Sequence, residues 1–176
     1  MQERYNTIAV PQMMAKFGYK NKLQVPRIRK VVVNVGVGRI AKDEKLAEHI
    51  AHDLEMITGQ KTEKRPAKIS IAGFKLREGT TVGMRVTLRR KRMYDFLSRL
   101  VDIAIPRSKD FRGLERKSID KGGNLTIPVK EQIVFPEVVA ENVKSIFSFE
   151  VTVVIHANSY EEALEFYTLM GFPLKK

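Results

Sequence analysis

The sequence predicts an α+β fold, a two-layer sandwich with helices on one face of a mostly antiparallel sheet and an open face opposite them. Four segments alternate apolar and polar residues, as strands do when only one face of their sheet is buried. Four others repeat apolar residues at the spacing of amphipathic helices. The 176 residues contain no internal repeat and no Gly/Ser linker, so we expect a single domain over residues 1–176.

Three elements are predicted in the first third of the chain. Residues 5–17 form a short helix, which Pro11 indicates starts late, because a proline inside a helix lacks the amide donor and clashes with the preceding turn. Residues 29–37 form a strand dense in valine. Residues 43–58 form a helix whose first residue can act as its N-cap. The apolar sides of the two helices comprise Ile8, Met13, Met14 and Phe17 in the first, and Leu46, Ile50, Leu54 and Ile57 in the second.

The rest of the chain follows the same two periodicities. In order, the pattern predicts a strand at residues 81–89, an amphipathic helix over 93–104 that Pro106 ends, strands at 125–130 and 149–156, and a final helix that opens near Ser159 and ends at Gly171. The final helix begins with Ser159-Tyr160-Glu161-Glu162, the pattern of a capping box. A basic loop connects the helix over 93–104 to the strand at 125–130.

The alternation assigns a face to each strand residue. In the first strand Val31, Val33 and Val35 point to one side, and Lys30, Val32, Asn34 and Gly36 point to the other. The strand at 81–89 places Met84, Val86 and Leu88 opposite Arg85, Thr87 and Arg89. Because the apolar sides must be buried under the helices, the open face is expected to be polar and largely basic.

Basic charge is concentrated in the N-terminal half of the chain. The net charge is +12; residues 1–90 hold 19 Lys/Arg against 8 Asp/Glu, whereas residues 91–176 hold 13 against 12. A surface that is charged only for solubility would intersperse both signs. The asymmetry therefore favours a polyanionic partner such as RNA.

Composition disfavours several other classes of protein. The chain has no cysteine, which excludes disulfides, thiolate metal sites and cysteine nucleophiles. No apolar run approaches the roughly 20 residues of a membrane span. Residues 1–10 resemble neither a signal peptide nor a transit peptide. We therefore expect a cytoplasmic protein that has no cofactor and no membrane partner.

Asn34 is the most unusual strand residue, because it interrupts a run of valines and asparagine is disfavoured in strands. One interpretation is an edge position where water solvates the amide. The other is a contact to an RNA base or sugar on the open face, where Gly36 lets a backbone approach closely. Thr87 fits the same face, since Arg85 and Arg89 on either side of it could pair with phosphates.

Two patterns are leads towards an enzyme or a metal site, and both are weak. Residues 36–41 match the dinucleotide fingerprint G-x-G-x-x-A, but the following helix begins only at Asp43 and the strands look antiparallel. His49 and His52 share a helix at a spacing of three residues, on a face that looks solvated. No catalytic triad or carboxylate pair stands out, so no catalytic residue, metal ligand or small-molecule substrate is predicted.

Residues 68–79 are predicted to form a projecting loop, in which two glycines bracket an aromatic residue and two cations. Aromatic rings among cations suit RNA recognition by stacking and phosphate contact. Alternatively, Phe74 and Leu76 tuck back into the core. The residues of interest are Gly73, Phe74, Lys75, Arg77 and Gly79.

Six motifs, found in order along nearly the whole chain, resemble a known family. Together they resemble the bacterial large-subunit ribosomal protein of universal family five, which binds 5S rRNA. The motifs are Val33-Asn34-Val35-Gly36-Val37-Gly38, Ile57-Thr58-Gly59-Gln60, the stretch 70–79, Val86-Thr87-Leu88-Arg89, Asp110-Phe111-Arg112-Gly113-Leu114 and the stretch 130–137.

The resemblance implies a non-catalytic protein that attaches 5S rRNA to large-subunit rRNA in the central protuberance. The family binds 5S rRNA through the open sheet face, where the matching residues here are Asn34, Gln60 and Thr87. With the other face residues identified above, the predicted 5S rRNA site comprises Asn34, Gly36, Gln60, Arg85, Thr87 and Arg89.

Two further contacts are implied by the same resemblance. The loop at 71–79 reaches the peptidyl-site tRNA, and the segment 131–148 meets a small-subunit head ribosomal protein in an intersubunit bridge. The bridge residues so implied are Glu131, Phe135, Pro136 and Glu137. Two alternatives stay open: a regulatory RNA-binding module built on the same face, and a nucleotide-dependent enzyme that uses Gly36 and Gly38.

Overall fold

The computed structural model of the protein describes residues 1–40, 43–74, 76–109, 111–138 and 143–175. Five strands form one sheet, and each pair of neighbours is antiparallel. The spatial order is β2-β3-β1-β5-β4, so that β1 lies in the middle. The strands are β1 (Arg27–Gly36), β2 (Glu63–Pro66), β3 (Thr81–Leu88), β4 (Leu125–Val129) and β5 (Phe149–His156). The predicted α+β sandwich is therefore confirmed.

Four helices cover one face of the sheet. Helix α1 joins α-helical Gln2–Arg4, π-helical Tyr5–Ala9 and α-helical Val10–Phe17; α2 is Glu44–Thr58; α3 joins α-helical Arg90–Arg99, π-helical Leu100–Ala104 and α-helical Ile105–Arg107; α4 is Tyr160–Leu169. None of the described helices is both long enough and apolar enough to cross a membrane.

The side-chain alternation of the strands is confirmed. Val31, Val33 and Val35 are completely buried, whereas Asn34 and Gly36 between and beyond them are exposed. The other three long strands behave in the same way. Their buried residues are Met84, Val86 and Leu88 in β3, Leu125, Ile127 and Val129 in β4, and Phe149, Val151, Val153 and Ile155 in β5.

The expected late start of the first helix is wrong, because helical structure begins at Gln2. A π-turn precedes Pro11, and its wider ring moves backbone carbonyls away from the proline that an α-turn would crowd. The same turn rotates the apolar side, so that Ala9 and Val10 are buried and Ile8 is 38% exposed. A second π-turn lets α3 continue past Pro106, which was expected to end it.

Strand β2 is an element that the sequence pattern does not reveal. All four of its residues are exposed, so no apolar alternation marks it. It is the edge strand next to β3, and its sequence Glu-Lys-Arg-Pro has the charge and the proline typical of protected edges. It matters for the open face because it places Glu63 and Arg65 beside β3.

The helix caps agree with the sequence. The carboxylate of Asp43 accepts a hydrogen bond from the Leu46 amide at 3.1 Å, and Gly59 ends α2 in the left-handed conformation, with φ of 66°. The Ser159 hydroxyl accepts from the Glu162 amide, as in a capping box. The Glu162 carboxylate, however, accepts from the Asn158 amide, one residue earlier than that motif requires.

Candidate nucleic-acid interface

A row of side chains crosses the open face of the sheet through all five strands. The strand register aligns Glu63 with Arg85, Arg85 with Asn34, Asn34 with Glu150, and Glu150 with Pro128. We call these five residues the central row. Directly opposed residues on one sheet face lie about 5 Å apart, so the row presents one continuous strip of mostly polar groups.

Asn34 sits at the middle of this row, on the central strand rather than at an edge. Its side chain is exposed, and within the described part of the chain no hydrogen bond involves its amide group. An asparagine amide offers two donors and an acceptor with two lone pairs. Asn34 is therefore not an edge residue, and a complete set of hydrogen-bonding groups faces outward.

Arg85 is held in an ion pair with the edge strand. Its Nη2 and Nε donate to Glu63 Oε2 at 2.8 and 3.2 Å, and Arg65 Nη1 donates to Glu63 Oε1 at 2.9 Å. Hydrogen bonds from Arg85 first and then from Arg65 hold the pKa of the Glu63 carboxyl below its usual value. Because Glu150 adds a second carboxylate, the central row is much less basic than the sequence led us to expect.

Gln60 and Thr87 are joined by a hydrogen bond at the margin of the open face. Gln60 Nε2 donates to the backbone carbonyl of Thr87 at 3.0 Å, and Gln60 is half-buried. This bond fixes the glutamine side chain and leaves its amide oxygen for another partner. Thr87 opens a neutral second row, in which Val32, Thr152 and Thr126 follow in register.

An open depression of about 360 Å³ lies beside Asn34, between β1, β5 and β4. At its rim, Gly36 leaves an empty space, because a Cβ built there would meet no atom within 4 Å. A ligand backbone can therefore approach the strand closely at this point. The depression is lined by Asn34, Gly36, Pro128, Val129, Lys130, Ser148, Phe149 and Glu150.

The loop between β2 and β3 projects from the sheet and closes on itself. Backbone hydrogen bonds join Ala67 to Thr80 and Gly79 to Ala67 at its base, and Ile71 pairs with Leu76 further out. Gly79 takes the left-handed conformation, with φ of 84°.

The tip of this loop presents an aromatic ring to solvent. Phe74 is 81% exposed, which excludes the alternative that its ring tucks into the core, whereas Leu76 is half-buried. Gly73, Arg77 and Gly79 are also exposed, whereas Lys75 lies outside the described residues. The described tip therefore combines an aromatic face with a cation, the pair of groups that stacks on bases and pairs with phosphates.

The segment after β4 contains one core residue among its predicted contact residues. Phe135 is completely buried and stacks on Phe96 with the ring centroids 5.9 Å apart. Its ring can therefore support a contact surface but cannot form part of it. Pro136 is exposed, Glu131 is half-exposed, and Glu137 forms an ion pair with Arg99.

Gln132, which the sequence did not single out, is the structural centre of this segment. Its side chain is completely buried; Nε2 donates to the Ser145 carbonyl at 2.6 Å and Oε1 accepts from the Phe147 amide at 2.9 Å. These two bonds attach the segment before β5 to the turn after β4. A glutamine beside apolar residues is the only signal in the sequence, and it resembles that of many surface glutamines.

The enzyme and metal leads are not supported by the geometry. The strand that ends at Gly36 has antiparallel neighbours on both sides, whereas a dinucleotide fold requires parallel ones. His49 Nε2 lies 2.6 Å from Lys144 Nζ rather than beside a carboxylate. Among the residues that the structure describes, no group of three or more His, Asp or Glu could hold a metal ion.

Comparison with known proteins decides which family this fold and face represent. Residues 21–77 match the family model described as Ribosomal protein L5, and residues 81–174 match the model that describes the C-terminus of the same ribosomal family. The chain belongs to the ribosomal protein L5 family. It is therefore a structural ribosomal protein and not an enzyme.

Individual relatives align over nearly their whole length. A Large ribosomal subunit protein uL5 from Carboxydothermus hydrogenoformans is 43% identical over 100% of this chain and 98% of its own. Proteins of the same name from Halothermothrix orenii and Magnetococcus marinus are 46% and 45% identical, over 99% and 100% of this chain and 97% and 95% of their own. The central row, the projecting loop and the segment after β4 thus all lie within the matched part of this ribosomal protein L5 chain.

Proposed function

We propose that this structural protein of the large ribosomal subunit binds 5S rRNA through the open face of its sheet. In this role it attaches 5S rRNA to large-subunit rRNA in the central protuberance of the cytoplasmic ribosome. Membership of the ribosomal protein L5 family supports the ribosomal role. The position of Asn34 carries the finer proposal, because a hydrogen-bonding amide stands exposed in the middle of a sheet that the helices leave uncovered.

The chemistry of the face suits a folded RNA better than a featureless polyanion. Neutral hydrogen-bonding groups at Asn34, Gln60 and Thr87 can contact base edges, which distinguish one RNA from another, and 2′-hydroxyls, which distinguish RNA from DNA. Arg85 lies directly beside Asn34 and can share its guanidinium between Glu63 and a phosphate. Gly36 and Arg89 extend the same surface along β1 and past the end of β3.

Two further contacts belong to this proposal. The exposed Phe74 and Arg77 give the projecting loop the chemistry to contact peptidyl-site tRNA, by stacking and by phosphate pairing. The segment 131–148 would contact a small-subunit head ribosomal protein through Pro136, Glu131 and Glu137. Phe135 would hold that segment from within the core, where its ring stacks on Phe96.

Replacing Asn34 with alanine tests the proposed face. If its amide makes buried hydrogen bonds to RNA, Asn34→Ala weakens binding of 5S rRNA by about 1–3 kcal/mol. Asn6→Ala is the matched control, because Asn6 is an exposed asparagine on helix α1, in the other layer of the fold. Equilibrium binding to labelled 5S rRNA measures both. Equal affinities of the two variants would show that RNA binds elsewhere.

A regulatory RNA-binding module on the same face would also lose affinity in that experiment. The two roles differ in where the protein resides. A structural protein copurifies with large subunits in a one-to-one ratio through a high-salt sucrose gradient, whereas a regulator remains largely in the soluble fraction.

A further inference from the structure

Seven cations gather at one end of the sheet, where β1 begins and β3 runs into α3. Six are exposed and one, Lys30, is half-exposed. We call this group the end cluster. Its members are Arg27, Arg29 and Lys30 in β1, and Arg89, Arg90, Lys91 and Arg92 at the junction of β3 with α3.

The two halves of the end cluster form one surface. The last registered pair of β1 and β3 is Val31 with Leu88, so one step further the antiparallel chains bring Lys30 opposite Arg89. Burial raises the pKa of Tyr94, in the second turn of α3, and the nearby charge of Arg27 opposes that rise. The first residue of β1 therefore lies near the second turn of α3, a helix that also contacts β1 directly.

None of these seven cations forms an ion pair within the described part of the chain. The ion pairs found there use other cations, for example Lys16, Arg65, Arg85 and Arg99. The first turn of α3 contains no acidic residue, so its cations meet the positive end of the helix dipole. Uncompensated like charges repel and destabilise the folded state, and an anionic partner relieves that repulsion.

We propose that the end cluster binds the phosphate backbone of the RNA whose nucleotides lie on the central row. This inference rests on the proposed function and assigns a separate role to each part of the surface. Asn34 is four strand residues from Lys30, or about 13 Å, so one RNA segment covers both. The central row carries Glu63 and Glu150 and contributes little net attraction. The end cluster supplies the electrostatic attraction, which does not depend on base sequence.

Arg90 offers an unusually clean test of this inference. Its φ is 54°, in the left-handed region, and it is the only residue other than glycine with a positive φ in the described chain. Glycine adopts this conformation without the strain that a Cβ imposes. Arg90→Gly therefore removes one cation and relieves backbone strain together. The strain relieved offsets the backbone entropy that a glycine loses on folding, so we expect the fold to keep its stability, and urea unfolding of the variant checks this.

The test measures affinity for 5S rRNA and for an unrelated RNA duplex of equal length, each at several salt concentrations. Each lost phosphate contact should lower the magnitude of the slope of log K against log salt by about 0.9. We expect Arg90→Gly and Arg29→Gln each to flatten the slope by about this amount. Each variant should also lower the affinity for the two RNAs by the same factor. Lys45→Ala removes the same charge from helix α2 and should leave the slope unchanged.

The inference and the proposed function fail in different ways. If Arg90→Gly and Arg29→Gln keep the wild-type slope, or if Lys45→Ala flattens it equally, the end cluster is not a phosphate contact. If both variants lower the affinity for 5S rRNA but not for the unrelated duplex, the cluster recognises particular nucleotides and the inference is wrong. Equal wild-type affinity for the two RNAs would instead overturn the 5S rRNA proposal, while the slopes still report on the cluster.

Discussion

At the scale of single residues, the exposed carboxylate of Glu63 sets how much positive charge the central row shows to RNA. It accepts hydrogen bonds from both Arg85 and Arg65, and it would repel an approaching phosphate. An RNA bound at the central row would compete with this carboxylate for both arginines. Glu63 therefore weakens non-specific attraction at the place where Asn34 is proposed to select a partner.

Glu63→Gln should tighten binding of 5S rRNA and of unrelated RNA alike, and the gain should grow as salt is lowered, because screening weakens. Glu115→Gln is a suitable control, since Glu115 forms a comparable exposed pair with Lys117 elsewhere on the surface. Titration of each RNA at low and moderate salt measures the effect. Weaker binding by Glu63→Gln would mean that the glutamate orients Arg85 productively.

The same carboxylate has a pH signature. Its pKa is lowered in the folded state, so its ion pairs stabilise the fold at pH values above the unfolded pKa of about 4.3. This stabilisation is lost as the pH falls through the lower folded value. Urea unfolding of wild type and Glu63→Gln should therefore differ at pH 7 and converge towards about pH 3. A difference that grows on acidification would contradict the assignment.

Gln132 is the residue on which the segment after β4 depends most. Gln132→Ala leaves the half-buried Ser145 carbonyl and the buried Phe147 amide without partners, and loss of a buried partner costs about 1–3 kcal/mol. The free energy of unfolding should fall by that order, whereas the exposed Gln2→Ala should change it by less than about 0.5 kcal/mol. A decrease of only a few tenths for Gln132→Ala would show that water replaces both bonds.

At the scale of elements, the loop between β2 and β3 and the turn after β4 each carry a phenylalanine, with opposite expected roles. Phe74→Ala should leave the free energy of unfolding within about 0.5 kcal/mol, because its ring is 81% exposed, and should weaken tRNA binding to ribosomes that contain the variant. Phe135→Ala should destabilise the fold by about 3–5 kcal/mol, because its ring is completely buried. Chemical unfolding measures the stability of both variants. Filter binding of tRNA to ribosomes reconstituted with each variant measures the affinity for tRNA. A large loss of stability for Phe74→Ala would place its ring in the core.

These elements also show which parts of the fold can be predicted from the sequence alone. Alternation located β1, β3, β4 and β5 because their burial is one-sided, and it placed Asn34 and Thr87 on the open face correctly. Strand β2 was missed since all its residues are exposed, so the Glu63–Arg85 pair could not be foreseen. The start of α1 and the end of α3 were predicted wrongly at Pro11 and Pro106, because hydrophobic periodicity gives no signal of a π-turn. Phe135 looked like a contact residue until tertiary packing showed its ring stacked on Phe96.

At the scale of the whole molecule, positive charge and hydrogen-bonding groups occupy different parts of one surface. The N-terminal half of the sequence carries nearly all the excess positive charge. In the middle of the sheet, however, Glu63 and Glu150 offset the positive charge of the open face. The end cluster, by contrast, gathers seven cations that form no ion pair within the described residues. On the proposed function, the end cluster attracts any RNA and the central row selects the one that is retained.

The affinity of the purified chain for 5S rRNA, compared with an unrelated RNA of equal length over a range of salt concentrations, tests this account most directly. Non-specific binding that rests on about six to ten phosphate contacts falls by about 10³–10⁵ between roughly 50 and 200 mM salt. We predict that 5S rRNA remains bound at the higher salt, where the unrelated RNA has dissociated. Equal affinity for the two RNAs at every salt concentration would contradict the account.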